Sequence, residues 1–200
     1  MKRLVIFSVL IMAYLSCFAQ DIKLPSPHRT GGKPLMDALN DRQSNRDFSD
    51  KELNNQTLSD LLWAAYGFNR EDKRTVPSSQ NKQEMDLYVF LKSGIYLYDA
   101  KNQQLILKVP GNNHAKTGSQ PFVTVAPVNL VYIANLDKAS NRDAALTDCG
   151  FIAQNVYLFC ASEGLISVVR GSVDKAAVHS ILGLSEKQEA LLAQTVGYKQ

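Results

Sequence analysis

Arg42-Gln43-Ser44-Asn45-Arg46 puts two guanidinium groups and a hydroxyl within five residues. A planar guanidinium fork matches the oxygens of a phosphate, and a serine adds one short donor beside it. In an extended segment a spacing of two turns Arg42, Ser44 and Arg46 to one side, so the stretch reads either as an anion grip or as a solvated basic loop ahead of a helix. Downstream, Pro77-Ser78-Ser79-Gln80-Asn81 offers hydroxyls and an amide on a backbone that proline fixes. Asn81 can both donate and accept, which suits a polar ring edge that alternates acceptors with an N–H. Cations, hydroxyls and an amide in this order match a ligand with a phosphate, a hydroxylated chain and a planar polar end.

Other chemistry has less support. His28, His114 and His179 are scattered with no metal-ligand spacing, so no metal site is expected. Cys149 and Cys160 fall in one helical run, where eleven residues separate their Cα atoms by roughly 16 Å, too far for a disulfide, and they read as small core residues. His114 and Lys116 belong to a polar stretch, Gly111 to Pro121, read as solvated surface. No side chain stands out as an obligatory acid or base.

The elements that must hold these residues follow from periodicity. Pro34 opens a short helical segment from Leu35 to Leu39 that delivers the chain to Arg42. Leu58, Leu61, Leu62 and Ala65 recur at helical spacing, with Asn54 or Asn55 as cap and Gly67 as stop; Trp63 lies off that stripe, either filling core or interface or standing near a ligand. Period-two runs at 87–91, 94–98 and 104–109 predict an antiparallel meander, and 127–134 is apolar almost throughout, as a central strand is. From Asp143 to Gly164 a helix apolar nearly all round predicts burial on more than one side. Ser172 predicts the cap of a helix over 173–182 that Gly183 stops, and Glu189 to Tyr198 an amphipathic run ending in a strand over 194–198.

The chain has 200 residues, 45% hydrophobic and 20% charged, which suits one domain with a real core. Lys2 and Arg3, the apolar run from Leu4 to Leu15 and the small-x-small Cys17-Phe18-Ala19 read as a signal peptide over 1–19, with a mature start at Gln20. That apolar run is shorter than the ~20 residues that span a bilayer. Export, to a periplasm-like compartment, is the expectation, with a lipid anchor at Cys17 as the alternative. Without the first segment 20 basic residues stand against 19 acidic ones, a net charge of +1 that gives no support to nucleic-acid binding. Residues 20–34, rich in proline and glycine, read as an extended arm able to wrap a partner, and 35–200 as the folded domain.

The Arg-x-Ser-x-Arg grip, the helix reading Leu61-Leu62-Trp63-Ala64-Ala65 and the run Pro77-Ser78-Ser79-Gln80-Asn81-Lys82-Gln83 together resemble the flavin-binding half of the nitroreductase family. Arg74-Thr75-Val76-Pro77-Ser78 and Gly94-Ile95-Tyr96-Leu97-Tyr98-Asp99 are most similar to the SagB-like branch that contains the azoline-oxidising dehydrogenases. The resemblance runs from Pro34 to Tyr198. It implies an α+β fold, a mainly antiparallel sheet flanked by helices, with a long helix over about 143–163 in the core and at a dimer interface.

It further implies FMN bound at the interface of a homodimer. Arg42, Gln43, Ser44 and Arg46 would hold the phosphate; Pro77, Ser78, Ser79 and Asn81 the ribityl chain or ring; Val169, Arg170 and Gly171 would pass flavin N5, which a main-chain N–H bonds. Relatives usually carry Glu, Gly or a small residue where Arg170 stands, and its guanidinium could bias the flavin potential, bind an anionic substrate or face solvent. Many relatives continue to a further basic residue in the phosphate grip, a place for which Lys199 is the candidate here. The implied activity is ping-pong transfer of two electrons between an unnamed donor and a small organic substrate, carried by flavin N5 rather than by a side chain. The alternatives are a non-catalytic module that holds flavin or a related ligand, and a scaffold with an empty pocket.

Overall fold

In the computed structural model residues 20–200 are described, and the targeting segment expected at 1–19 lies outside them. The predicted meander forms as β2 (Met85–Leu91), β3 (Gly94–Asp99) and β4 (Gln104–Pro110). The apolar run becomes β5 (Val128–Asn135), buried at every position but its last. With β1 (Ile22–Lys23), β6 (Ile166–Arg170) and β7 (Gln188–Gly197) they make one seven-stranded antiparallel sheet in the order β1-β4-β3-β2-β5-β7-β6. The fold is the expected α+β arrangement, with β6 on an open edge.

Side-chain alternation gives the sheet two apolar faces, and a different set of helices covers each. Leu87, Val89, Leu130 and Tyr132 meet α2 (Asn55–Tyr66) and α4 (Arg142–Ser162) in the larger core. Tyr88, Phe90, Val131 and Ile133 meet Val178 of α5 (Lys175–Leu182) on the other face. Asn54 caps α2 by accepting the Thr57 N–H, and Asn141 caps α4 by accepting that of Ala144, each at 2.8 Å. Two short helices complete the set, α1 (Leu35–Asp41) and α3 (Phe122–Val125).

Four expectations change. The arm at 20–34 packs on its own chain: Leu24 is buried, Pro25 O accepts the Ser59 hydroxyl at 2.6 Å, and the His28 N–H meets Asp60 at 2.7 Å. The cap of α5 is Asp174, which accepts the Ala177 N–H at 2.9 Å, rather than Ser172. The last amphipathic run belongs to β7, a single strand. Helix α4 buries one stripe, Ala145, Asp148, Cys149, Ile152, Ala153, Val156 and Cys160, while Leu146 and Phe151 stay exposed, so burial on a second side is absent within one chain.

Candidate functional site

Arg42 closes α1 and the chain leaves it extended, so that Ser44 forms a parallel bridge with Ser167 on the open edge of β6 and the Asn45 N–H donates to Ser167 O at 3.0 Å. Tyr157, near the far end of α4, gathers this corner. Its hydroxyl lies 2.8 Å from Ser44 Oγ and accepts the Val169 N–H at 2.8 Å, while the Arg42 guanidinium sits 5.3 Å from its ring centre. Arg42 and Ser44 thus do share a side, and Arg46 is exposed beyond them. Gln43, Tyr157, Ser167 and Lys199 line an adjoining cleft of 210 Å³, which brings Lys199 to the grip. Asp41 also lines that cleft, with its carboxylate paired to Lys33 at 2.7 Å, so the cations and hydroxyls of the corner remain as the kind of donor set a phosphate requires.

The second stretch is a tight turn at the other end of α4. The Ser79 N–H donates to the Asp148 carboxylate at 2.7 Å, and Ser79 Oγ lies 3.2 Å from Ser140 Oγ. Gln80, Asn81 and Gln83 take φ of 53°, 57° and 48°, a region that non-glycine residues enter only when their surroundings hold them there. Ser78 Oγ accepts the Gln83 N–H at 3.0 Å, which closes the turn. Behind it, burial holds the Glu84 carboxyl above the usual carboxylate range and Asp148 adds to the shift. Asp148 and Tyr157 are nine residues apart on one helix, about 13 Å along its axis. Within one chain, then, 42–46 and 167–171 come together and 77–81 is anchored apart from them.

The third stretch differs most from its expectation. The Val169 N–H is already bonded to Tyr157, so it is not free for a ligand. Arg170 faces neither solvent nor an open site: it is 3% exposed. Its Nε donates to Thr195 Oγ1 at 3.1 Å, Nη1 to Thr117 O at 2.9 Å, and Nη2 to Thr117 Oγ1 and Asn129 Oδ1 at 3.2 Å each. Strand alternation explains this, since Arg170 projects with Val168 to the face opposite α4. Burial pulls its pKa down to about 10, and it remains a cation at neutral pH. Gly171 is exposed, and among the described residues its N–H has no hydrogen-bond partner.

The loop that Arg170 holds is not solvated surface either. His114 and Thr117 are fully buried in a short 3₁₀ turn, and among the described residues neither His114 ring nitrogen has a hydrogen-bond partner. Burial holds the His114 imidazole below its ordinary pKa, and Lys92 pushes the same way. The unfolded chain, with imidazole near ~6.5, therefore binds this proton more readily than the folded one. Stability is complete above that value and falls as pH drops through it, by at most about 1.4 kcal/mol per pH unit, until the folded group itself protonates. Urea denaturation from about pH 7.5 to 5 should show a shallower loss for His114→Gln than for the parent, and equal slopes would refute the assignment.

Sequence reading missed Tyr157, Asp148 and the Arg170 acceptors. Tyr157 carries the one weak signal, a hydroxyl in an apolar stripe, but its partner lies 113 residues away. Trp63 lies away from that corner: its Nε1 donates to Phe68 O at 3.1 Å, and with the arm it lines a separate 430 Å³ groove.

The family model described as Nitroreductase family matches residues 39–198. A candidate nitroreductase of Methanocaldococcus jannaschii is 30% identical over 182 residues, covering 82% of this chain and 91% of that protein. The crystal structure of a candidate nitroreductase from Ralstonia eutropha is 38% identical and superposes with a TM-score of 0.84 over 91% of this chain and 90% of its own. A chain of the Escherichia coli microcin synthetase complex McbBCD shares the fold at a TM-score of 0.68 and 19% identity, covering 98% of this chain and 85% of that one.

Proposed function

Since this chain belongs to the nitroreductase family of oxidoreductases, we propose that it is an exported, FMN-dependent member that works as a homodimer on a small organic substrate. The observation that carries the reading is the convergence of Arg42, Ser44 and Tyr157 on the open edge of β6, with Lys199 lining the same cleft. Arg42, Arg46 and Lys199 supply charge for a phosphate, and Ser44 a short donor. Gly171 offers a main-chain N–H that is unpaired among the described residues, the role that the resemblance gives to this segment for N5, while Arg170 acts only through its backbone there. FMN, when bound, supplies two-electron chemistry at N5; the chain supplies orientation and electrostatics.

The dimer reading rests on what one chain leaves uncovered. Among the described residues six large apolar side chains are exposed, of which Leu35, Met36 and Leu39 lie on α1 and Leu146 and Phe151 on α4. Such a concentration on two helices marks a surface for another protein rather than for water. A second copy covers it and also supplies what the single chain lacks, a turn at 77–81 placed beside a grip at 42–46. SagB-like affinity is part of this proposal, supported by the motifs at 74–78 and 94–99 and by fold likeness to the microcin synthetase chain.

Anaerobic titration tests the function. The chain beginning at Gln20, mixed with FMN, should show a bound-flavin absorption spectrum that bleaches with NADH or NADPH. Bleaching by dithionite alone would replace the nicotinamide donor with another or favour a binding role, and no bound flavin would sink the proposal.

A further inference from the structure

Asn81, read from sequence as a group that can donate or accept, is denied that choice by its neighbours. The Arg74 guanidinium lies 3.8 Å from the Tyr66 ring centre and 4.4 Å from that of Phe68, and its Nη1 donates to Tyr66 O at 2.7 Å. Fixed in this way, its Nε donates to Gln83 Oε1 at 3.0 Å. A guanidinium has donors only, so Gln83 must turn its oxygen to Arg74 and its NH₂ away. That NH₂ donates to Asp72 O at 2.7 Å and to Asn81 Oδ1 at 3.1 Å. Asn81 is left with its oxygen engaged and with an Nδ2 that, among the described residues, has only a 3.4 Å contact to Asp72 O, on the exposed side of the turn. The order of donors and acceptors passes from Arg74 through Gln83 to Asn81 whichever way either amide is first drawn.

We propose that Arg74 is a positioning residue that makes Asn81 a donor, so that the turn selects a ligand presenting an acceptor, a ring carbonyl or unprotonated ring nitrogen, and disfavours one presenting N–H. The identity of that ligand rests on the flavin reading above, under which Asn81 meets a carbonyl or bare nitrogen of the ring rather than its N3–H. Gln83→Glu reverses the order with little change in shape. Its carboxylate accepts from Arg74 and turns a second acceptor to Asn81, which then points Nδ2 inward and shows Oδ1. Arg74→Lys, which also carries donors only, keeps the original order.

Side-chain amide hydrogen exchange followed by NMR in the ligand-free protein reads the relay itself. Gln83 NH₂ should exchange slowly and Asn81 NH₂ fast in the parent, and Asn81 should become slow in Gln83→Glu; the opposite pattern in the parent overturns the relay. Flavin-fluorescence titration with FMN reads its consequence: Gln83→Glu should bind about ten-fold more weakly or worse, while Arg74→Lys stays within about three-fold of the parent. Reversed exchange with unchanged FMN affinity overturns the selecting role. A parent chain that binds no FMN overturns the flavin reading and the acceptor named from it, while the exchange pattern still decides the relay.

Discussion

Arg170→Met should cost the fold about 3 kcal/mol, one of the largest losses available to a single substitution in this chain. Two effects oppose each other. Removing a buried cation recovers its desolvation cost, which favours the variant. The same change strands the buried Thr117 O and takes a charge-assisted donor from Thr117 Oγ1, Thr195 Oγ1 and Asn129 Oδ1, although Asn129 Oδ1 still accepts the Thr195 hydroxyl at 2.7 Å. One buried acceptor left without a donor costs about 1–3 kcal/mol, and with the three further charge-assisted bonds lost it outweighs the recovered term because the cation is already satisfied by four side-chain and backbone oxygens. The melting temperature should fall by about 6–12 °C in a domain of this size. Hydrogen exchange should quicken first over His114–Thr117, the turn that the guanidinium ties to β5 and β7. Space there is tight as well, since a Cβ at Gly118 would lie 2.5 Å from Arg170 Nη1. A variant as stable as the parent would show that the network is incidental.

Periodicity made the helices and most strands legible because burial repeats along them. It failed in β7 for an identifiable reason. Tyr132 pairs with Leu192 and Ile133 with Ala190, so Leu191 is an extra residue in the ladder. That bulge breaks the period of two and leaves Ala190-Leu191-Leu192-Ala193 as an apolar block that looks helical. The grip and the turn were legible as chemistry, through residue types and short spacings. What each side chain touches was not, since Arg170 finds its acceptors 53, 41 and 25 residues away. His114 went wrong likewise: polar neighbours in sequence predict surface, whereas burial is decided by strands and helices remote in the chain. Arg170 was misplaced by composition alone, because an arginine at a strand end is more often solvated than buried.

Replacing Arg42 and Arg46 together by alanine should leave the fold intact and weaken FMN binding by about 10²–10⁴-fold, since each charge-assisted contact to a phosphate contributes about 1.5–3 kcal/mol. The structural cost is small. Arg46 is exposed, and Arg42 contributes a stacking contact on Tyr157 but no side-chain hydrogen bond among the described residues. Riboflavin, which has the ring and ribityl chain without the phosphate, separates the grip from every other contact. The parent should prefer FMN strongly and the double variant should bind the two almost equally. Raising the salt concentration should weaken FMN binding in the parent and hardly affect the variant, because exposed cations are screened within about 10 Å at ordinary ionic strength. A double variant that keeps its preference for FMN over riboflavin would move the phosphate away from 42–46, with Lys199 and the cleft beside Gln43 as the place to look next.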